Sequence, residues 1–256
     1  MNKAECLLKW HGSKRALAPA IVNLFPADYR DCLYVEPFCG SAAVFYVKQR
    51  SKTEVSNDIN EDLVNFLVTV KWHAQELARC LRLIPNSREL FVRWIDAPEQ
   101  PTSILRALRF LYLSKVSYGG LREHWAPDGR SGEKAKPCVL HSVRRRLWRW
   151  AERLAHATIE CAPWQEIIEK YDCTKALFYI DPPYVGTSGY GVPFGMEYWR
   201  ELRGRMASVK GRFVVSASGT AEMKLLWRGL HQRLTAITSS LGPNDRRQRE
   251  LLVWNY

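Results

Sequence analysis

Residues 181–184 read Asp-Pro-Pro-Tyr and follow the apolar run "ALFYI" of residues 176–180. Proline cannot donate to a strand ladder, so the run ends as a strand at Asp181 and delivers a carboxylate, a rigid turn and a ring at its mouth. Those three groups suit an amine on a planar base. Asp181 accepts one hydrogen bond from the amino group, and the Pro182 carbonyl, held rigid by Pro183, accepts the second. Together they favour a pyramidal nitrogen with its lone pair pointing outward. Tyr184 stacks on the ring that carries the amine. Catalytic work is therefore expected of Asp181, Pro182, Pro183 and Tyr184.

Two further polar clusters fall where strands should end, Glu36 to Ser41 and Asn57-Asp58. In open α/β sheets ligands gather at the carboxyl ends of strands. Gly40 permits close approach to the backbone, and Asp58 follows it by 18 residues, near the spacing of an acid that grips ribose hydroxyls. A nucleoside-bearing cofactor fits. With one glycine in the turn and no Walker lysine, the pattern disfavours dinucleotides and triphosphates, whose phosphates need a cradle.

The elements that must position these groups read as an α/β fold. Strands are expected at 31–36, 53 to about 58, 176–181, 212–218, 233–240 and 250–256, with helices from about Asp62, over 196–209 and over 220–230. The middle has apolar residues at helical spacing on both sides of a loop rich in Gly, Pro and charge, 119–137. The chain thus reads as an interrupted parallel sheet flanked by helices, with 1–69 plus 157–256 forming the catalytic domain and 70–156 a helical, basic insert. The net charge of +12 is concentrated there: residues 71–156 hold 17 basic and 8 acidic side chains, a surplus of nine. Such a localised surplus points to a polyanion, nucleic acid first. Arg144, Arg145, Arg146 and Arg149 are the expected phosphate grip, with a plain solvated face as the alternative. Seven scattered cysteines with no C-x-x-C pair suggest neither disulfides nor zinc. No apolar run of membrane-spanning length and no signal-peptide stretch is seen, so an intracellular protein is expected.

Six segments in order resemble the Dam-type DNA adenine-N6 methyltransferases: "LLKWHGSK", "VEPFCGSAAVF", "NDINEDLVNF", "FLYLSKVSYGGL", "DPPY" and "RRQRELLVWNY". The resemblance implies a Rossmann-like, S-adenosylmethionine-dependent methyltransferase sheet with an inserted, mostly helical target-recognition domain. It further implies that Trp10, Lys14, Asp58 and Asp181 contact S-adenosylmethionine, that Glu36, Pro37 and Gly40 shape its pocket, and that Lys9 touches DNA. Trp164 offers a ring to the cofactor's adenine. The resemblance also implies that Tyr118 occupies the position of an aromatic that enters the duplex beside an everted base, with Arg122 placed for a base edge. The expected partner is double-stranded DNA, the expected state a monomer in the bacterial or phage-infected cytoplasm, with no metal; a cognate restriction endonuclease and the target sequence stay open. The sequence departs from the family pattern at Gly119-Gly120-Leu121-Arg122, where Asn usually precedes Gly. The alternatives are an RNA adenine or protein glutamine methyltransferase with the same amine chemistry, or an inactive DNA-binding relative.

Overall fold

The computed structural model describes residues 6–97, 99–117, 120–126, 139–184, 194–238 and 247–256. Seven strands form one sheet: β1 (Leu33–Glu36), β2 (Thr53–Asn57), β3 (Ala157–Glu160), β4 (Ala176–Ile180), β5 (Arg212–Ser218), β6 (His231–Thr238) and β7 (Arg247–Trp254), in the order β3-β2-β1-β4-β5-β7-β6. All pairings from β3 to β5 are parallel, whereas β7 runs antiparallel to both β5 and β6. The sheet is therefore mixed at one side rather than parallel throughout. From β1 the chain steps outward through β2 and β3, then returns to β4 beside β1 and steps the other way. That reversal opens a crevice at the carboxyl ends of β1 and β4.

The central strands are buried on both faces. In β4, Leu177 and Tyr179 join one core cluster while Phe178 and Ile180 join the other, the alternation that a two-residue side-chain period requires. Ten helices complete the described chain: α1 (Ala18–Val22), α2 (Ala43–Val47), α3 (Glu61–Leu83), α4 (Arg88–Asp96), α5 (Ser103–Val116), α6 (Val139–Arg144), α7 (Leu147–Leu154), α8 (Trp164–Tyr171), α9 (Met196–Ser208) and α10 (Ala221–Leu226). α3 starts where Asn60 caps the amide of Leu63 and acids at 61 and 62 face the positive end of the helix dipole. It breaks its helical geometry at His73, where φ is −129° and ψ 33°.

The first core cluster joins sheet and insert. Tyr34 and Phe45 share it with Phe66 and Leu77 of α3, Leu111 of α5, and Leu147 and Trp150 of α7. Two ion pairs add to this apolar seam. Arg106 of α5 donates to Asp62 at 2.5 Å, and Arg153 of α7 pairs with the buried Glu54 of β2 while donating to the Phe45 carbonyl at 2.7 Å. Lys48 pairs with the same Glu54, and burial pulls its amine down to about 8. The expected boundary at residue 70 falls within α3, three residues before the break. β3 was not foreseen: only Ala157 of its four residues is fully buried, because it is the sheet's edge.

Candidate active site

The crevice between β1 and β4 gathers two groups of side chains. The first centres on Lys14, which lies in a short 3-10 turn (Lys14–Ala16) after the N-terminal segment. Its ammonium is 2.7 Å from Asp181 Oδ1 and 3.3 Å from Glu250 Oε1, and 4.7 Å from the centre of the Tyr184 ring. The Tyr184 hydroxyl donates to the same Glu250 Oε1. Burial pushes the lysine pKa down, but the two carboxylates outweigh it and the net shift is upward. Burial likewise raises the carboxyls of Asp181 and Glu250, with Lys14 pulling each back. One cation thus serves two acids, and the cluster carries one net negative charge when all three are ionised. Behind it Tyr179 and Ser216 share a hydroxyl–hydroxyl bond of 3.0 Å. Pro182 is buried and Pro183 half-buried.

The second group surrounds Gly40. This residue sits at φ +47°, and a Cβ there would stand 2.9 Å from the indole nitrogen of Trp10. Bare backbone against an indole edge is what glycine alone permits here. Asp58 accepts the Gly40 amide at 2.9 Å through Oδ2 and the Asn60 amide at 3.0 Å through Oδ1. Burial raises its carboxyl despite these amides and the nearby charge of Arg122. Ser13 and Ser41, with hydroxyls 2.7 Å apart, tie the N-terminal segment to the glycine turn. Asn57 fastens the neighbouring loops, donating to the carbonyls of Pro37 at 2.9 Å and Ala162 at 3.0 Å and accepting the Ala162 amide at 3.0 Å.

Glu36 lies between the two groups. Burial pushes its carboxyl up to about 8, the Asp181 charge adding to the rise and the Tyr34 hydroxyl, donating at 2.5 Å, opposing it. Trp164 opens α8 on the far side, buried and tilted against Phe38 with ring centres 6.1 Å apart.

The family model for D12 class N6 adenine-specific DNA methyltransferases matches residues 10–200. The chain belongs to this family. The matched span holds every expected catalytic and cofactor residue of the methyltransferase, from Trp10 to Tyr184. Among its relatives, a DNA adenine methylase of Serratia marcescens is 31% identical over 199 residues, covering 73% of this chain and 70% of that protein. The retron Ec67 DNA adenine methylase of Escherichia coli is 28% identical over 257 residues, covering 92% and 85%. Among solved structures, the precorrin-6y C5,15-methyltransferase of Geobacter metallireducens is 9% identical with a TM-score of 0.42, covering 95% of this chain and 90% of that one.

The methyltransferase's expected DNA contacts are distributed more widely. Lys9 is exposed, its backbone is strapped to Ser114 of α5, and its amine donates to the Ser117 carbonyl at 3.1 Å. Gly120, at φ +78°, packs so closely that a Cβ would come within 2.3 Å of the Lys9 carbonyl oxygen. Arg122 lies 5.4 Å from the centre of the Trp10 ring and 4.7 Å from that of Phe110. Its guanidinium therefore sits against both rings. The four arginines do not share one helix face: a turn at 145–146 separates α6 from α7. Arg145 and Arg149 are exposed, while Arg144 and Arg146 are half-buried, Arg146 donating to the Cys6 carbonyl at 3.4 Å. Tyr118, Gly119 and the basic stretch 127–137 lie outside the described residues.

Sequence reasoning missed Glu250, which reads as the first residue of an apolar strand. Its visible signal is an acid in a strand that must be buried on both sides.

Proposed function

We propose that this enzyme methylates the exocyclic amine of an adenine in duplex DNA at the Asp181 carboxylate, with S-adenosylmethionine as donor. The family carries the reaction class. The observation that supports Asp181 as its centre is that carboxylate's seat at the switch point of the sheet, paired to Lys14 and flanked by the Tyr184 ring.

The residues present fit a nucleoside donor. The Gly40 and Asn60 amides orient the Asp58 carboxylate, with the Cys39 thiol 4.0 Å from Oδ2, and a carboxylate so held is an acceptor for a ribose hydroxyl. The bare backbone at Gly40 and the indole of Trp10 form a flat, close wall. Trp10, Gly40, Asp58 and Glu36 would hold this donor, with Lys14 and Trp164 at its margins. When bound, S-adenosylmethionine would supply a sulfonium methyl open to attack by a nitrogen lone pair, with the neutral thioether of S-adenosylhomocysteine as the leaving group.

The chain's own groups do the rest. Asp181 accepts a hydrogen bond from the adenine amine and leaves its lone pair exposed. The same carboxylate offers a place for the proton that the nitrogen sheds on methylation. Lys14 opposes the rise that burial imposes on the Asp181 carboxyl, and Tyr184 presents a ring for the base to stack on. A duplex hides the amine, so the base must be turned out of the stack, at a cost of a few kcal/mol. Residues 70–156 are the proposed DNA-facing part, with Lys9, Arg145 and Arg149 as exposed cations for phosphates. On this reading the enzyme works as a monomer in the cytoplasm, where DNA and the donor meet.

Asp181→Ala tests the assignment. Transfer of labelled methyl groups to unmethylated duplex DNA should fall below detection while DNA affinity stays within about three-fold, roughly 0.7 kcal/mol. Retained methylation would remove Asp181 from the mechanism. Labelled RNA or protein in preference to duplex DNA would replace the substrate.

A further inference from the structure

Glu250 lies beyond residues 10–200, the span that the family model matches. On β7 it pairs in register with Ser218 of β5 on one side and Thr235 of β6 on the other. The carbonyl of Arg249, its neighbour, accepts the Gly219 amide at 2.8 Å, and a Cβ on Gly219 would come within 2.7 Å of that oxygen. The backbone beneath Glu250 has no room to drift. Its side chain, 5% exposed, meets Lys14 and the Tyr184 hydroxyl through a single oxygen.

A buried acid is expensive unless paired, and pairing to Lys14 alone would account for its survival. It would not account for the tyrosine. Tyr184 follows the two prolines at the end of β4, and its hydroxyl is anchored on the far side of the crevice by a strand that comes last in the chain. We propose that Glu250 is a positioning residue of the methyl-transfer site, fixing the Tyr184 ring and sharing the Lys14 ammonium with Asp181. This rests on the roles assigned above to Asp181 and Tyr184.

Two consequences differ between substitutions. Glu250→Gln keeps an acceptor for the Tyr184 hydroxyl but removes a negative charge, so Lys14 turns wholly to Asp181. The Asp181 carboxyl then ionises at lower pH. Among the described residues, the charged and titratable groups around this pair are Lys14 from the N-terminal segment, Tyr179 and Tyr184 from β4 and its turn, and Glu36 from β1; none of these is altered. Glu250→Ala also removes the anchor, as Tyr184→Phe does from the other end.

Single-turnover methyl transfer to unmethylated duplex DNA, measured from pH 5 to 9, separates the cases. Rates are expressed per binding site, with sites counted by calorimetric titration with S-adenosylhomocysteine. Glu250→Ala and Tyr184→Phe should each slow transfer by about ten-fold or more, the scale of a misplaced reacting group. The double variant should be no slower than the slower single one within about two-fold, because the two residues act as a unit. Glu250→Gln should keep most of the plateau rate and move the acid limb to lower pH. Urea unfolding of the same variants without cofactor should show coupling between residues 184 and 250.

Multiplying losses in the double variant, no coupling in urea, or a Glu250→Ala rate per site within about two-fold of the parent would overturn the proposal, about 0.4 kcal/mol being too little for an anchor. So would an unmoved acid limb in Glu250→Gln. A purely structural Glu250 would lower the number of sites and leave the rate at each unchanged. Asp181→Ala, assayed alongside, keeps the two readings apart. If it still methylates, the site assignment fails; if it is silent while the Glu250 variants behave like the parent, only the positioning role fails.

Discussion

Lys14→Met removes the cation from the crevice while keeping most of the volume of its stem. In the parent, the ammonium stands 2.7 Å from Asp181 and 3.3 Å from Glu250, with side chains 8%, 17% and 5% exposed. Breaking a buried ion pair from one side costs ~3–5 kcal/mol, and partial exposure of Asp181 argues for the lower end. The cost depends on pH in a defined direction. The folded pKa of Lys14 is raised, so in the parent its contribution is present throughout the neutral range and is lost only as pH climbs through that raised value. Both acids are already raised by burial, and without Lys14 they rise further. A carboxyl raised in the folded state binds a proton that the unfolded chain has released, so stability falls as pH increases above the ordinary carboxyl range. Urea unfolding should therefore show a small loss for Lys14→Met near pH 4.5, growing to ~3 kcal/mol at pH 8. Cofactor-analogue binding should weaken with the same pH trend. A loss equal at both pH values, or below ~1 kcal/mol at pH 8, would show that the lysine does not hold the two acids together.

The raised Glu36 carboxyl, at about 8, makes the parent progressively less stable from pH 5 to pH 8, by ~3–4 kcal/mol if that group acts alone. Glu36→Gln should flatten this part of the urea-stability curve, and an unchanged curve would assign the trend elsewhere. Replacing the exposed Arg145 and Arg149 together by Ala should reduce the slope of log DNA affinity against log salt by roughly 1–2, whereas an unaltered slope would return both residues to the solvated surface.

What could be read from residue order was governed by sequence distance. β1, β4 and β5 are short apolar runs buried on both faces, and each announces itself locally. The acid, prolines and tyrosine of 181–184 also lie together in the chain. Lys14 reaches Asp181 from 167 positions away and Glu250 reaches Tyr184 across 66, so their meeting depends on which strands become neighbours. The antiparallel entry of β7 between β5 and β6 is such a choice, and nothing in "ELLVW" reports its direction. β3 escaped notice because an edge strand with one buried residue has no periodicity to display. The arginines 144–149 looked like one face only while a continuous helix was assumed through 145–146, where the backbone turns.

The way the proposed DNA-facing segment is rooted bears on how it could be exchanged between such enzymes. Its first helix begins at Glu61 under a cap from Asn60, and its last grips Glu54 through Arg153. A transplant cut at 70 and 156 would sever a helix in mid-course and strand an arginine from its acid. A donor fragment would travel more safely as 60–156, accompanied by the lysine–glutamate couple at 48 and 54 into which its last helix plugs.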